Sequence, residues 1–553
     1  MTPMFPISPM TPTTRPTRVP PTRRLAQPTS VSRRVFSAGV LSSALAASVA
    51  ACGGGGNDSA GAPAADPTAP AVRGGTATLM LSLEANGFDP AAVNPTGITY
   101  GTRMAAVFDV LVYADQRNGE VRPQLAESLT TPDGGTTWVL RLRPGVLFSD
   151  GTTLDADAVR FNWARAADPG VRSPQFRIAK DLRLAVTDPV TLTVSLPAPN
   201  PHFDGVVARS LAFVGSPKAI AADPAGFAAN PVGAGPFVLA SWTRGSQMVF
   251  ERNPRYWQPE RPYLDRLVVR TALDERQQVE TVASGGADLL LASAATQAGA
   301  ARDAGLGVAE TVTAGGLLIV FNTTRAPFDD VRARQAFAAA LDTSDLVKTV
   351  YGRELPGSTG LFPAGTLYAA PDARQPGQDR ARAQALLDEL ATAGKPLRFT
   401  FTALNSPASR KTAEYIQSRL LTLKNVQMDI RAVDGPGYQS GVIVNRDFQA
   451  SLFSVSFTDP EPALSELLRG GGPANLGGWR DAEADRALDE ARTAVDAGVR
   501  AAAYARVQRI AAEQVPVWTY LDACSATAYR RQITGITMFG DACLLPDRLG
   551  RTG

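Results

Sequence analysis

The sequence predicts an α/β protein with two or three domains. Apolar runs typical of strands alternate along the chain with amphipathic patterns typical of helices. The chain has 553 residues and is 44% hydrophobic, which is enough material for several substantial cores. No segment of the sequence recurs with a fixed period of about 20–50 residues, which argues against a solenoid or a propeller. We therefore expect large lobes that share more than one chain crossing.

The individual elements follow from these patterns in chain order. Strands are expected at 76–83, 138–142, 267–270, 288–291, 317–322, 397–402 and 427–432. Helices are expected at 100–111, 155–166, 275–283, 331–341, 409–423, 483–495 and 499–513. An apolar segment at 515–521 follows the last helix.

The N-terminal segment has the features of an export signal. Arg33 and Arg34 precede a run of small apolar residues that is too short and too weakly apolar to span a membrane comfortably. Paired arginines are typical of twin-arginine signals, and Val49-Ala50-Ala51-Cys52 resembles the lipobox of bacterial lipoproteins. We predict a signal peptide at 1–51, lipidation of Cys52, and a flexible linker at 52–72. The alternative is a disordered basic N-terminus with a chance Arg-Arg pair.

Removal of this signal would change the net charge. The whole chain carries 55 Lys and Arg against 52 Asp and Glu, a formal net charge of +3. Every charged residue before Cys52 is an arginine, so the remaining side chains would carry a net charge of about −3. The rest of the chain has no run of Lys or Arg, and nucleic-acid binding is therefore not expected.

Two cysteines remain after Cys52. In an oxidising compartment, Cys524 and Cys543 form an even pair that is able to close a small disulfide near the C-terminus. The alternative is two separate buried thiols, and the sequence leaves both open.

A series of short motifs lies in a fixed order along the body of the chain. They occupy 84–90, 108–113, 121–128, 140–159, 231–237, 251–257 and 321–336, and the fourth contains Phe148-Ser149-Asp150-Gly151. In this order they resemble motifs of the family 5 extracellular solute-binding proteins, the peptide- and nickel-binding receptors of ABC importers. The resemblance covers nearly all of the chain after the linker.

The resemblance implies a two-lobe periplasmic-binding-protein fold of type II, cluster C, with an extra subdomain in lobe I. Carried onto this chain, lobe I covers 73–315 and 517–553, its inserted subdomain covers about 122–232, and lobe II covers 316–516. Two chain crossings, at Gly315-Gly316 and Val515-Pro516, are the expected hinges for closure on a ligand.

The resemblance also implies residues that bind the two ends of a peptide. Asp459, within Phe457-Thr458-Asp459-Pro460, corresponds to an aspartate that binds the peptide ammonium, and Arg410 corresponds to an arginine that binds a carboxylate. The structural alternatives are a loop residue before Pro460 for Asp459 and a solvated side chain on a first helical turn for Arg410.

Further positions correspond to the walls of the ligand cleft. Asn86, Gly87 and Phe88 match a loop that contributes backbone contacts from lobe I. Asn475 and Trp479 match positions where an asparagine and an aromatic face the cleft. For these last two, the alternative is packing in the core or within a loop.

The implied function is capture of short peptides outside the cytoplasm and delivery to an ABC permease powered by a partner ATPase. We expect a lipid-anchored monomer without a cofactor or metal. Alternatives are a ligand of another kind (a metal chelate, haem, a sugar or a signalling peptide) or, as a different class, an exported hydrolase. His202 is the only histidine and there is no Gly-x-Ser-x-Gly motif, which argues against a hydrolase. We interpret His202 as a loop or helix-start residue.

Overall fold

The computed structural model of the chain describes residues 69–292, 294–540 and 542–553. The predicted signal peptide, Cys52 and the linker up to residue 68 lie outside the described residues.

Each strand expected from the sequence is present in the described part, which also contains strands that were not expected. In chain order they are β1 (Thr76–Leu81), β2 (Val112–Ala114), β3 (Val121–Pro123), β4 (Ala126–Thr130), β5 (Thr137–Leu142), β6 (Arg183–Asp188), β7 (Thr191–Ser195), β8 (Phe237–Thr243), β9 (Gln247–Arg252), β10 (Arg266–Thr271), β11 (Leu289–Ala292), β12 (Gly307–Phe321), β13 (Leu397–Leu404), β14 (Val426–Val433), β15 (Ala450–Phe457), β16 (Val517–Tyr529), β17 (Ile533–Thr534), β18 (Met538–Phe539), β19 (Cys543–Leu544) and β20 (Gly550–Arg551).

The helices lie between these strands. They are α1 (Gly101–Phe108), α2 (Ala156–Ala166), α3 (Phe176–Ala179), α4 (Phe203–Val206), α5 (Pro217–Ala222), α6 (Glu275–Ala283), α7 (Ala295–Asp303), α8 (Val331–Ala340), α9 (Thr343–Tyr351), α10 (Arg380–Thr392), α11 (Pro407–Leu420), α12 (Gly435–Tyr438), α13 (Ala463–Leu468), α14 (Ala482–Thr493) and α15 (Ala497–Gln514), with π-helical turns at Val207–Leu211 and Gln439–Val444.

Local chemistry explains where many helices begin and end. Asp155 precedes α2 and accepts a hydrogen bond from the Ala158 N–H, and Asp496 does the same for Val499 at the start of α15. The last helix, α15, ends at Gln514; the next residue, Val515, has a φ of 48°, and Pro516 has no N–H with which to continue the helix.

One long sheet runs through most of the molecule. In the described part its strand order is β14-β13-β15-β12-β16-β11-β1-β10-β9-β8. Strands β1, β10 and β11 pair in parallel, and so do β13, β14 and β15, as expected for α/β units. The antiparallel strands β12 and β16 lie between these two groups. These two strands therefore connect the two halves of the molecule.

The hydrophobic cores divide along the same line. One set packs around β1, β10 and α1, and a neighbouring set packs α2 on the antiparallel sheet β4-β5-β7-β6; we call this part lobe I. Other sets pack α8–α11 and α13–α15 on β12, β13 and β15; we call this part lobe II. The residue boundaries given for the lobes and the inserted subdomain stay predictions.

The main differences from the sequence-based elements are in length. The strand expected at 317–322 begins at Gly307, because its first half pairs with β16 on the lobe I side. The helix expected at 100–111 ends at Phe108, where Asp109 takes a φ of 56°. Among the strands that were not predicted, the longest are 183–188, 237–243, 247–252 and 450–457, whose pairing partners are distant or follow a tight turn.

The disulfide alternative for Cys524 and Cys543 is wrong. Both are buried thiols that are not bonded to each other, and they belong to different hydrophobic clusters. The Cys524 thiol donates to Glu310 at 2.9 Å, whereas the Cys543 Sγ lies 3.3 Å from the Thr96 carbonyl oxygen. The C-terminal strands place the two side chains in different hydrophobic clusters, which is a tertiary property that sequence spacing does not reveal.

Candidate functional site

A cavity of about 330 Å³ lies between the two lobes. Lobe I contributes the loop between β2 and β3, at 118–121, and the helical segment that contains α4 and the following π-helical turn. Lobe II contributes Tyr368, the segment 458–462 after β15, and Arg500 from α15. Pockets for small ligands are about 300–1,000 Å³, so this cavity is suited to a small solute.

The most strongly connected group in the cavity wall is Asp459. It forms a bidentate ion pair with Arg500, with both N–O distances 2.8 Å. The side chain of Arg500 is only 4% exposed, whereas that of Asp459 is 34% exposed. The carboxylate therefore faces both a buried guanidinium and the open cavity.

Two tyrosines complete the surroundings of Arg500. Its guanidinium donates to the hydroxyls of Tyr368 at 2.9 Å and Tyr504 at 3.3 Å, and its central carbon lies 5.1 and 5.4 Å from the two ring centres. Burial, the largest single effect, lowers the pKa of Arg500, but the Asp459 carboxylate together with Tyr504 and Tyr368 outweighs it and raises the pKa. Arg500 is thus a fixed cation that positions Asp459.

Two further carboxylates make the cavity acidic. Burial raises the pKa of Asp204 in lobe I and that of Glu461 in lobe II, and the charge of Asp459 adds to both shifts. Glu461 accepts a hydrogen bond from Ser465 at 2.5 Å, and Asp204 accepts one from the Gly205 N–H at 2.8 Å. A cationic group entering the cavity would compensate this negative charge.

His202 connects the lobes at the edge of the cavity. Its Nε2 lies 2.8 Å from the carbonyl oxygen of Ala494, the residue that follows α14. Burial and the nearby Arg500 lower the pKa of His202, which favours the neutral ring with Nε2 protonated as the donor. The residue immediately precedes α4, in agreement with its interpretation as a helix-start residue.

The other predicted site residues lie elsewhere. Arg410 is exposed on the first turn of α11 and does not line this cavity. Phe88 is fully buried and packs edge-on against Trp242 and Phe250, while its N–H donates to Ala228. Gly87 is buried against Ala228, and Asn86 is exposed. The cavity lining includes none of these four residues.

The prediction that Asn475 and Trp479 face the cleft is wrong. Both are buried in lobe II, at 3% and 4% exposure. The Asn475 amide closes the loop by donating to the carbonyls of Arg469 and Trp479, and the Trp479 indole donates to Gln514 at 3.1 Å. Their polar groups are used within the core, which was the structural alternative for both.

Sequence reasoning missed Arg500, Tyr368, Asp204 and Glu461. Arg500 and Asp459 are 41 residues apart, in a helix and a loop. The only local signal was that Arg500 interrupts the apolar face of a predicted amphipathic helix, where a buried cation requires a partner.

Comparison with known proteins agrees with this architecture. Residues 120–475 match the family model of the bacterial extracellular solute-binding proteins, family 5. The chain belongs to this family. A curated relative is the glutathione-binding protein GsiB of Salmonella paratyphi A, 27% identical over 370 residues, which cover 66% of this chain and 71% of GsiB.

Solved structures of this family have the same fold. The oligopeptide-binding protein AppA of Bacillus subtilis, solved with a nonapeptide, gives a TM-score of 0.72 at 19% identity, covering 88% of this chain and 100% of AppA. NikZ of Campylobacter jejuni, solved with Ni(L-His), gives 0.70 at 19% identity, covering 86% of this chain and 99% of NikZ. The two-lobe fold of type II periplasmic binding proteins, predicted from the motifs, is confirmed.

Among residues 69–292, 294–540 and 542–553, no helix is both long and apolar enough to cross a membrane. Within those same ranges, no group of three or more His, Cys, Asp or Glu side chains is placed to hold a metal ion.

Proposed function

We propose that this family 5 protein is the extracytoplasmic receptor of an ABC importer and binds short peptides between its lobes. The observation that carries the proposal is Asp459, a carboxylate held by the buried Arg500 and presented to a cavity between the lobes. A peptide ammonium is a natural partner for such a group, because charge-assisted hydrogen bonds are strong in a partly desolvated cavity. Similarity to a glutathione-binding and an oligopeptide-binding protein supports a peptide ligand.

A metal chelate is the second candidate. NikZ, which has the same fold, was solved with Ni(L-His). A chelate supplies most of its own metal ligands, so it requires few from the protein.

Release of the bound solute distinguishes the candidates. The purified protein is denatured and the released small molecules are identified by mass spectrometry. We expect peptides of two or three residues; nickel with a small chelator would instead favour the second candidate. Steady hydrolysis of peptides or esters that persists through repeated purification would support the exported hydrolase and contradict the receptor.

Substitution of Asp459 tests the contact. Asp459→Asn keeps the shape but removes the charge, so the dissociation constant of trialanine should rise about 10- to 100-fold. Titration calorimetry measures it. The matched control is Asp429→Asn, an exposed aspartate of lobe II, which should leave affinity unchanged. Equal affinities of the Asp459→Asn variant and the native protein would contradict the proposed ammonium site.

We also propose that the mature protein is anchored through a lipid on Cys52 after export by the twin-arginine signal, and that it works as a monomer with its permease and ATPase. Support comes from the sequence of residues 1–52 and from membership of an extracellular family. Cys52→Ser should abolish incorporation of labelled palmitate and release the protein from the membrane fraction. Unchanged labelling in this variant would contradict the anchor.

A further inference from the structure

One helical segment of lobe I presents charges of both signs to the cavity. Helix α4 and the π-helical turn that follows it, Val207–Leu211, supply Asp204 and Arg209 to the wall. Insertions that produce π-helical turns are frequent at functional sites. This segment faces Asp459 across the cavity, so its charges meet the same ligand.

Arg209 is the arginine of the cavity wall that is least engaged by a carboxylate in the described part of the chain. Arg500 is paired with Asp459 at 2.8 Å, and Arg492 lies 3.8 Å from Asp489. For Arg209, the described part of the chain provides no carboxylate within 4.0 Å. Its guanidinium fork suits a carboxylate ligand, which it is able to bind through two hydrogen bonds.

Asp204 has the opposite character. The hydrogen bond it accepts is from the neighbouring Gly205 N–H, and no cationic side chain of the described residues lies within 4.0 Å of its carboxylate. Burial raises its pKa, and the charge of Asp459 in the opposite lobe adds to the shift. The carboxylates of Asp204 and Asp459 therefore face one region of the cavity from different lobes. A cation bound between them would hold the two lobes together.

The size of the cavity limits the length of the ligand. Its volume of about 330 Å³ is at the lower end for ligand pockets and suits a ligand as small as a di- or tripeptide.

We propose that this segment selects short peptides with free termini: Asp204, together with Asp459, binds the ammonium, and Arg209 binds the carboxylate. This inference rests on the proposed function and replaces Arg410, which lies outside the cavity, as the carboxylate partner. Lobe I then supplies a charge for each end of the peptide and lobe II supplies Asp459, so one bound peptide contacts both lobes.

The test compares trialanine, trialanine amide and N-acetyl-trialanine by titration calorimetry. In the native protein, each blocked peptide should bind at least about 10-fold more weakly than trialanine. In Arg209→Gln, trialanine and its amide should bind with similar affinity, whereas the discrimination against N-acetyl-trialanine persists. In Asp204→Asn, the discrimination against N-acetyl-trialanine should decrease by at least about 3-fold, whereas that against the amide persists.

Matched controls are Arg177→Gln and Asp181→Asn, which change exposed charges of the same lobe. Both should discriminate as the native protein does. Urea unfolding of each variant separates a lost contact from a lost fold, and the ratio between two peptides is independent of the fraction of folded protein.

Three results would overturn the inference. Unchanged ratios in both Arg209→Gln and Asp204→Asn, with tight trialanine binding by the native protein, would overturn it and leave the proposed function intact. Loss of discrimination against the amide in Arg410→Gln, but not in Arg209→Gln, would assign the carboxylate to Arg410. Failure of the native protein to bind all three peptides and dialanine, with no peptide released on denaturation, would overturn both proposals.

Discussion

Replacing Gly315 with alanine is expected to lower the free energy of unfolding by about 3–5 kcal/mol. Gly315 lies in β12 with a φ of 92°, and an added Cβ would be 2.2 Å from the Val455 carbonyl oxygen in β15. That neighbour is backbone within a paired strand, so it is unable to move away without breaking the ladder. Urea unfolding of the variant measures the loss.

Gly245→Ala is the matched control. Gly245 also has a positive φ, 71°, but an added Cβ would meet nothing within 4 Å. Only the conformational strain remains, and it costs about 1 kcal/mol. If both substitutions destabilise the protein equally, close packing at Gly315 is not the reason for the glycine. A small loss in Gly315→Ala alone would show that β12 and β15 separate easily at this crossing.

Replacing Arg500 with methionine is expected to cost about 2–3 kcal/mol of stability and to weaken peptide binding strongly. The substitution removes both hydrogen bonds to Asp459 and those to Tyr368 and Tyr504, while it keeps most of the apolar packing. Because Asp459 is partly exposed, water compensates some of the loss, and the cost is at the low end for a broken buried pair. Denaturant unfolding and titration calorimetry measure the two effects.

Arg509→Met is the control on the same helix. Arg509 pairs with Asp372 at 3.0 Å, but the two side chains are 48% and 65% exposed. An exposed pair of this kind contributes about 0–1 kcal/mol, so stability and affinity should change little. The double variant Asp459→Asn/Arg500→Met should be more stable than Arg500→Met, because it no longer leaves an unpaired carboxylate. If the double variant is instead less stable, Arg500 acts mainly through packing.

The sequence predicted the fold well where the signals are local. Strand and helix patterns at 138–142, 155–166, 275–283 and 397–402 agree with β5, α2, α6 and β13 to within two residues. Caps such as Asp155 and the stop at Val515-Pro516 depend on neighbours within a few residues. The first half of β12 was missed, because its pairing with β16 joins segments that are about two hundred residues apart in the chain.

The candidate site was predicted only in part. The motif around Asp459 identified a carboxylate that does line the inter-lobe cavity. The same kind of motif matching placed Asn475 and Trp479 in the cleft, although their hydrogen bonds are made within lobe II. A motif identifies the residue type and the loop, but the rotation of a loop against its core decides which side chains point outward.

The sequence by itself determined the α/β class, the order of most elements, the family motifs and one candidate ligand-binding residue. Each of these depends only on periodicity, helix capping or a short run of residues. The tertiary structure decided that Arg500 holds Asp459, that Asp204 and Arg209 share the cavity, and that Cys524 and Cys543 stay apart. The first and third of these facts depend on how distant segments pack within one lobe, and the second depends on how the two lobes face each other around β12 and β16. Ion pairs and hydrogen bonds require groups that are close together in space. Tertiary packing, and not separation along the chain, determines which groups are close.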